Sequence, residues 1–204
     1  MIFFDILKLR PFLRNLKSVF TFLWLILKGD ISKKISFDTY PYISNKGYLK
    51  INKNVRLCKN ISLKISQGAV LIIEEGVIIS DNCRITVRSN GSIRIGKGAR
   101  INNGAIISGN VEISKGVIIA PNVVMISDAH RIGVSGKTIQ ESDATLGMKL
   151  GHIQIKEHAF VGVGATILHS VTLGRKSVIG ANSFVMDDVP DFGVVVANKA
   201  KKIK

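Results

Sequence analysis

From Ile95 onward an aliphatic residue returns at every sixth position: Ile95, Ile101, Ile107, Ile113, Ile119 and Met125, then in the same phase Ile155, Val161, Ile167, Leu173, Ile179 and Val185. A helix needs apolar residues at i, i+3, i+4 and i+7, and a half-buried strand needs strict alternation, so neither accounts for a sixfold period. The fourth residue after each aliphatic is small or β-branched, as at Ala99, Ala105, Val111, Cys83, Ala159, Ala165 and Ser177. One hexapeptide then supplies a short strand and a turn. Three supply a triangular coil of about 18 residues, with the large side chain toward the axis and the small one in the corner. Such coils stack as parallel strands around one continuous core.

Upstream the register persists with one enlargement: Ile51, Leu57 and Leu63 are followed ten residues later by Ile73, and Ile73, Ile79 and Ile85 ten residues later by Ile95. The extra residues lie in two similar stretches, 65–70 and 87–92, which read as one enlarged corner used twice. The phase breaks once more between Met125 and Ile155, where 127–152 carries four glycines and no hexapeptide pattern. A connection of that length is either functional or disordered. The expected organisation is an N-terminal basic amphipathic helical segment over 1–44 and a β-helix over 45–204, with one long loop inserted at 127–152.

The chain has 204 residues and a formal net charge of +15, enough length for one domain with a full core. Residues 1–60 hold twelve Lys or Arg against three Asp, a net +9. Within that stretch Phe12, Leu13, Leu16, Val19, Phe20, Leu23, Trp24 and Leu27 follow helical spacing. The apolar run is too short for a bilayer span of about 20 residues but suits an interfacial helix, drawn to anionic lipid through residues 1–28. The alternative is that the same stripe caps the first coil or packs on a neighbouring subunit. No interleaving of aromatic and basic side chains marks a nucleic-acid module. Cys58 and Cys83 make no disulfide framework and no CxxC pair, and Lys28-Gly29-Asp30 is a poor cleavage site. These features favour a cytoplasmic chain, peripheral on the inner face of the membrane.

Among the four histidines, His130 is the catalytic candidate. It follows Ile126-Ser127-Asp128-Ala129, where the coil pattern stops, so a rigid scaffold projects it toward a cleft beside the loop. The sixfold pattern over roughly 45–204, and the segment Ile119-Ala120-Pro121-Asn122-Val123-Val124-Met125 followed shortly by His130, resemble the hexapeptide-repeat acyltransferases, in particular maltose, galactoside and surface-polysaccharide O-acetyltransferases. The resemblance implies a mainly β chain folded as a left-handed parallel β-helix, a homotrimer with active sites between protomers, and acetyl-CoA as co-substrate. It also implies that His130 acts as general base on a sugar hydroxyl in a direct ternary complex. Imidazole, with an ordinary pKa of about 6.5, is suited to that task. Asp128 is a candidate for orienting the ring.

By the same resemblance Phe160, Gly162, Val163, Ala165 and Ala181 border the pantetheine path, and Lys199, Lys201 and Lys204 offer charge to the cofactor phosphates. The family's Thr-Lys pair is replaced here by Met186-Asp187, and its Gly-Asn-Pro-Ala-Lys run by Ala197-Asn198-Lys199-Ala200-Lys201. Candidate acceptor contacts are Asn102, Asn103, Arg131 and His152, together with Lys137, Glu141, Asp143 and Lys149 of the long loop. His158 and His169 read as turn residues. The γ-class carbonic anhydrases share the architecture and bind metal through three histidines, but the spacings here differ and no metal is expected. Serine acetyltransferases add a large helical N-terminal domain that residues 1–44 do not resemble. Two alternatives stay open: N-acetylation of an amino sugar, and a solenoid without activity that serves as a binding scaffold.

Overall fold

The structure is a computed structural model, and it describes residues 19–20, 23–25, 30–32 and 34–197. Three parallel sheets of eight, seven and six strands form the faces of a triangular prism. Each sheet takes one strand from each successive coil. Arg100–Ile101, Ile118–Ile119, Phe160–Val161 and Val178–Ile179 lie side by side in the first sheet. Ile106–Ser108, Val124–Ile126, Thr166–Leu168 and Phe184–Val185 do so in the second, and Ser92–Ile95, Val111–Ile113, Ile153–Ile155 and Thr172–Leu173 in the third. The arrangement fits the left-handed parallel β-helix.

The sixfold residues form the inside of this prism. Ile101, Ile119, Val161 and Ile179 stack in one column, Ile107, Met125, Ile167 and Val185 in a second, and Ile113, Ile155 and Leu173 in a third, all buried in one core cluster. Each such side chain contributes about 1.5–3 kcal/mol by leaving water. The small partners at Cys83, Ala99, Ala105, Ala159, Ala165 and Ser177 fill the corners and are fully or almost fully buried. Burial pushes the Cys83 thiol up to about 11, which marks it as an inert corner residue.

Corner turns require a left-handed residue, and Asn and Gly supply it at most corners, with His158, His169, Lys176 and Phe192 at the others. Gly104 (φ 72°) stacks directly under Asn122 (φ 58°), and a Cβ on Gly104 would meet the Asn122 Oδ1. Asparagine tolerates this conformation better than other side-chain-bearing residues. Among the early coils Asn60 Nδ2 donates to Asn82 Oδ1 at 3.2 Å, which ties neighbouring turns together.

Two boundaries differ from the sequence expectation. The coils begin before residue 45, because Ile31 bridges to Ile51 and the strand Ser36–Phe37 pairs with Arg56–Leu57. The sixfold mark does extend there, at Ile31, Phe37 and Ile43, which stand in the columns of Ile51, Leu57 and Leu63. Of the expected N-terminal helix, Val19, Phe20 and residues 23–25 are helical. Leu25 is buried in the solenoid core, so this segment caps the first coil, while Phe20 and Leu23 are exposed. Residues 1–18 lie outside the described residues. Among the described residues no helix is long and apolar enough to cross a membrane.

The two enlarged corners, near 66–69 and 88–91, join the second sheet to the third, and the long loop occupies that same edge between Val124–Ile126 and Ile153–Ile155. The prism therefore has one elaborated edge, and His130 stands on it.

Candidate active site

The root of the loop is held by a chain of polar contacts that climbs this edge. Ser92 N–H donates to Asn110 Oδ1 (2.7 Å), Asn110 N–H to Ser127 Oγ (2.7 Å), and Ser127 Oγ to Asp128 Oδ1 (2.9 Å). The other Asp128 oxygen pairs with Arg88 Nε at 2.8 Å, Arg88 being supplied by the second enlarged corner. Gly109 makes the approach possible, since a Cβ there would fall on Ser127 Oγ and Asp128 Oδ1. Asp128 is buried, and a buried carboxylate must be paired. Its charge is thus committed to the loop root, which corrects the expectation that it orients His130.

One residue further on, Ala129 and Lys149 close the neck of the loop as an antiparallel bridge, with both N–H···O distances at 2.9 Å. His130 follows with its side chain 65% exposed. Its partner is Asp143: His130 Nδ1 lies 2.5 Å from Asp143 Oδ2, and Asp143 Oδ1 accepts the Arg131 N–H at 3.0 Å. A carboxylate only accepts, so Nδ1 carries a proton, and in the neutral ring the lone pair then belongs to Nε2. The His130 hydrogen bond first, and the Arg131 amide second, hold the Asp143 carboxyl below the usual carboxylate range.

Asp143 can take this position because part of the loop is helical. Ile139–Leu146 forms two turns opened by a capping box: Thr138 Oγ1 accepts from Glu141 N–H (3.3 Å), and Glu141 Oε2 accepts from Thr138 N–H (2.8 Å). Gly147 (φ 69°) ends the helix, donating to Asp143 O and accepting from Arg131 Nε at 2.7 Å. The expected inserted loop at 127–152 thus contains a helix that the sequence reading did not identify. The signal was available, since Thr-x-x-Glu is a helix-start pattern.

Between the loop and the next coil lies a cavity of about 480 Å³ lined by Ser127, His130, Arg131, Lys149, His169 and Ser170, with Ile132, Leu150 and Met186 on its apolar side. His169, read from sequence only as a turn residue (φ 60°), belongs here: its N–H donates to Ile126 O, one coil above the loop root. The sixfold phase placed it there, because Met125 and Ile167 occupy the same column. His152 is exposed, its N–H pointing to Ser170 Oγ at 3.3 Å, and it does not line the cavity. His158 is an exposed turn residue packed over Gly116.

The remaining candidates gather on a different edge, between the first and second sheets. Phe160 (40% exposed) faces outward from the first sheet, and Val163 and Ala181 are exposed at the corner. Ala165 is corrected to a core residue: it is fully buried, its N–H donates to Gly162 O and its carbonyl accepts from Val124 N–H. Gly162 is also buried, its amide given to Ile179 O, and a Cβ would strike the Ala181 amide. Asn102 donates to Ile119 O (2.8 Å) within the same edge, and Asn103 is exposed beside it. Within one protomer neither asparagine lines the His130 cavity. Lys199, Lys201 and Lys204 lie outside the described residues.

Residues 153–186 match the model described as the hexapeptide repeat of succinyl-transferase. A 45-residue stretch is 51% identical to the serine acetyltransferase of Bacillus subtilis, covering 22% of this chain and 21% of that protein. The chain thus spans about a fifth of that relative's length. Among solved structures, the polySia-specific acetyltransferase NeuO superposes with a TM-score of 0.60 at 20% identity, covering 85% of this chain and 78% of that one. A hexapeptide-repeat acetyltransferase from Vibrio cholerae, complexed with acetyl coenzyme A, gives a TM-score of 0.50 at 22% identity, covering 67% and 70%. In its sixfold motif and in its fold, this chain resembles the hexapeptide-repeat acetyltransferases.

Proposed function

We propose that the protein is an acetyl-CoA-dependent O-acetyltransferase acting on a hydroxyl of a sugar or polysaccharide precursor. The observation that carries this reading is the His130–Asp143 pair in the wall of the loop cavity, a pairing through Nδ1 that assigns the role of base to Nε2. In the reaction, Nε2 takes the hydroxyl proton as the acceptor oxygen attacks the thioester carbonyl. The C–S bond then breaks, and the proton returns to the departing thiolate of coenzyme A, so no acyl-enzyme is required. The repeat match, the serine acetyltransferase stretch and the fold shared with a sugar-polymer acetyltransferase and an acetyl-CoA complex all support the same chemistry.

The reading includes a homotrimer. His130 and the edge bearing Phe160, Val163 and Ala181 flank opposite sides of the second sheet, so a cofactor along that edge meets His130 most simply when another protomer supplies it. Ile118, Phe160, Val178 and Val194 form an exposed apolar row on the first sheet, which suits burial between prisms. The reading also places the basic, capped end against an anionic membrane surface, where exposed Phe20 and Leu23 would enter the interface.

The test is a thiol-release assay with acetyl-CoA over mono- and oligosaccharides. His130→Ala should lower turnover by about 10²–10⁴, the range for losing a general base, with acetyl-CoA binding retained. Unchanged turnover removes His130 from this role.

A further inference from the structure

The formally charged side chains that line the His130 cavity, Arg131 and Lys149, are both cationic, and we infer that its acceptor is an anionic saccharide, carrying a carboxylate or phosphate close to the hydroxyl that is modified. The inference rests on the reading of this cavity as the acceptor site.

Its polar lining consists of Ser127, His130, Arg131, Lys149, His169 and Ser170, with no Asp, Glu, Asn or Gln side chain among the lining residues. Neutral sugars present many hydroxyl donors, which carboxylates and side-chain amides are suited to accept. An anionic group presents acceptors, which Lys, Arg and Ser are suited to meet.

The two acids at the loop root, Asp128 and Asp143, are already committed. Asp128 is buried against Arg88 and Ser127, and both Asp143 oxygens are taken by His130 and the Arg131 amide. Arg131 is partly committed as well, through Nε to Gly147 O. Lys149 is different. Its main chain is fixed by the bridge to Ala129, its residue is exposed, and it forms no ion pair among the described residues. A cation whose backbone is anchored at the cavity wall, and whose ammonium has no ion-pair partner among the described residues, is suited to a charge that arrives with the ligand. The apolar residues Ile132 and Leu150 offer surface to a sugar ring's C–H face, and the net charge of +15 draws anions toward the site.

The cofactor's phosphates are the competing destination for Lys149, and the experiment separates the two. Binding is measured by calorimetry at low salt, without acetyl-CoA, for trigalacturonate, its methyl ester, a sialic acid oligomer, glucose 6-phosphate and maltotriose, using wild type, Lys149→Gln and Lys149→Glu. At least one anionic probe should bind more tightly than its neutral counterpart and lose affinity as salt rises. Which anion leads, carboxylate or phosphate, identifies the source of the charge. Lys149→Gln should weaken that probe by about two- to fivefold, the size of one exposed ion pair, and Lys149→Glu should weaken it further. Acetyl-CoA affinity should stay unchanged in both variants.

Equal binding of the trigalacturonate acid and ester with no preference for any other anion, anion binding indifferent to Lys149, or a loss confined to acetyl-CoA would each overturn the inference. Anion binding through Lys149 without acetyl transfer to any saccharide would leave it standing and sink the transferase reading instead.

Discussion

At the scale of single residues, the site depends on two carboxylates near one loop root taking different roles. Asp128 is buried and paired with Arg88, so it anchors; Asp143 lies on the loop helix and faces His130, so it positions. Asp143→Asn should therefore lower turnover by about tenfold or more by loosening the ring's tautomer and direction, with kcat moved more than the KM for acetyl-CoA. Asp143→Glu should restore part of it. The pH dependence has a definite sign. The folded pKa of Asp143 is depressed, so the contact is fully present above the ordinary carboxyl value of about 3.9 and is lost only as pH falls through the lower folded value. Carbon-13 titration of the side-chain carboxyl should give a midpoint below that ordinary value, and a midpoint at or above it contradicts the pairing.

At the scale of elements, the helix Ile139–Leu146 is the part of the loop that depends most on local sequence. It is short, polar on most of its surface and buries only Ser142, so its stability comes from its ends more than from the core. Thr138→Ala removes the reciprocal cap and should cost about 1 kcal/mol locally. Amide exchange over 139–147 should accelerate while the solenoid's exchange stays unchanged, because the helix contributes no side chain to the hydrophobic core cluster. Activity should fall in parallel, since Asp143 moves with the helix. Faster exchange spread through the coils would show instead that loop and solenoid unfold together.

At the scale of the whole molecule, the outer faces are polarised along the prism. The first sheet presents Arg56, a half-buried Ile78 and Arg100 from early and middle coils, then the unbroken apolar run Ile118, Phe160, Val178 and Val194 toward the other end. If that apolar row is the trimer contact, Val178→Asp should convert a trimer to smaller species in sedimentation velocity without altering the circular dichroism of the sheets, because the side chain points away from the core. A trimer that persists unchanged would place the contact on another face. The opposite end carries the cap, and residues 1–60 of the sequence hold a net +9 of the total +15. Co-sedimentation with phosphatidylglycerol vesicles but not phosphatidylcholine vesicles, weakened by salt and by a Phe20→Ser/Leu23→Ser pair, is the expected behaviour. Equal recovery in the supernatant with both lipids would count against membrane association.

The prism itself was legible without coordinates. A side chain that must point inward once per strand and once per face leaves a sixfold mark, and the columns of Ile101, Ile107 and Ile113 with their successors repeat that mark residue for residue. The position of His130 was legible for the same reason, because the pattern stops just before it. Which carboxylate reaches the histidine was not. Asp128 is nearer along the chain, but its backbone belongs to a coil edge that turns it toward Arg88, whereas Asp143 is brought back across thirteen positions by a capped helix and a bridged neck. Periodicity reports what each residue owes to its neighbours in a regular lattice. The loop has no such lattice, so its contacts were decided only when buried charge, capping and chain closure were satisfied together in three dimensions.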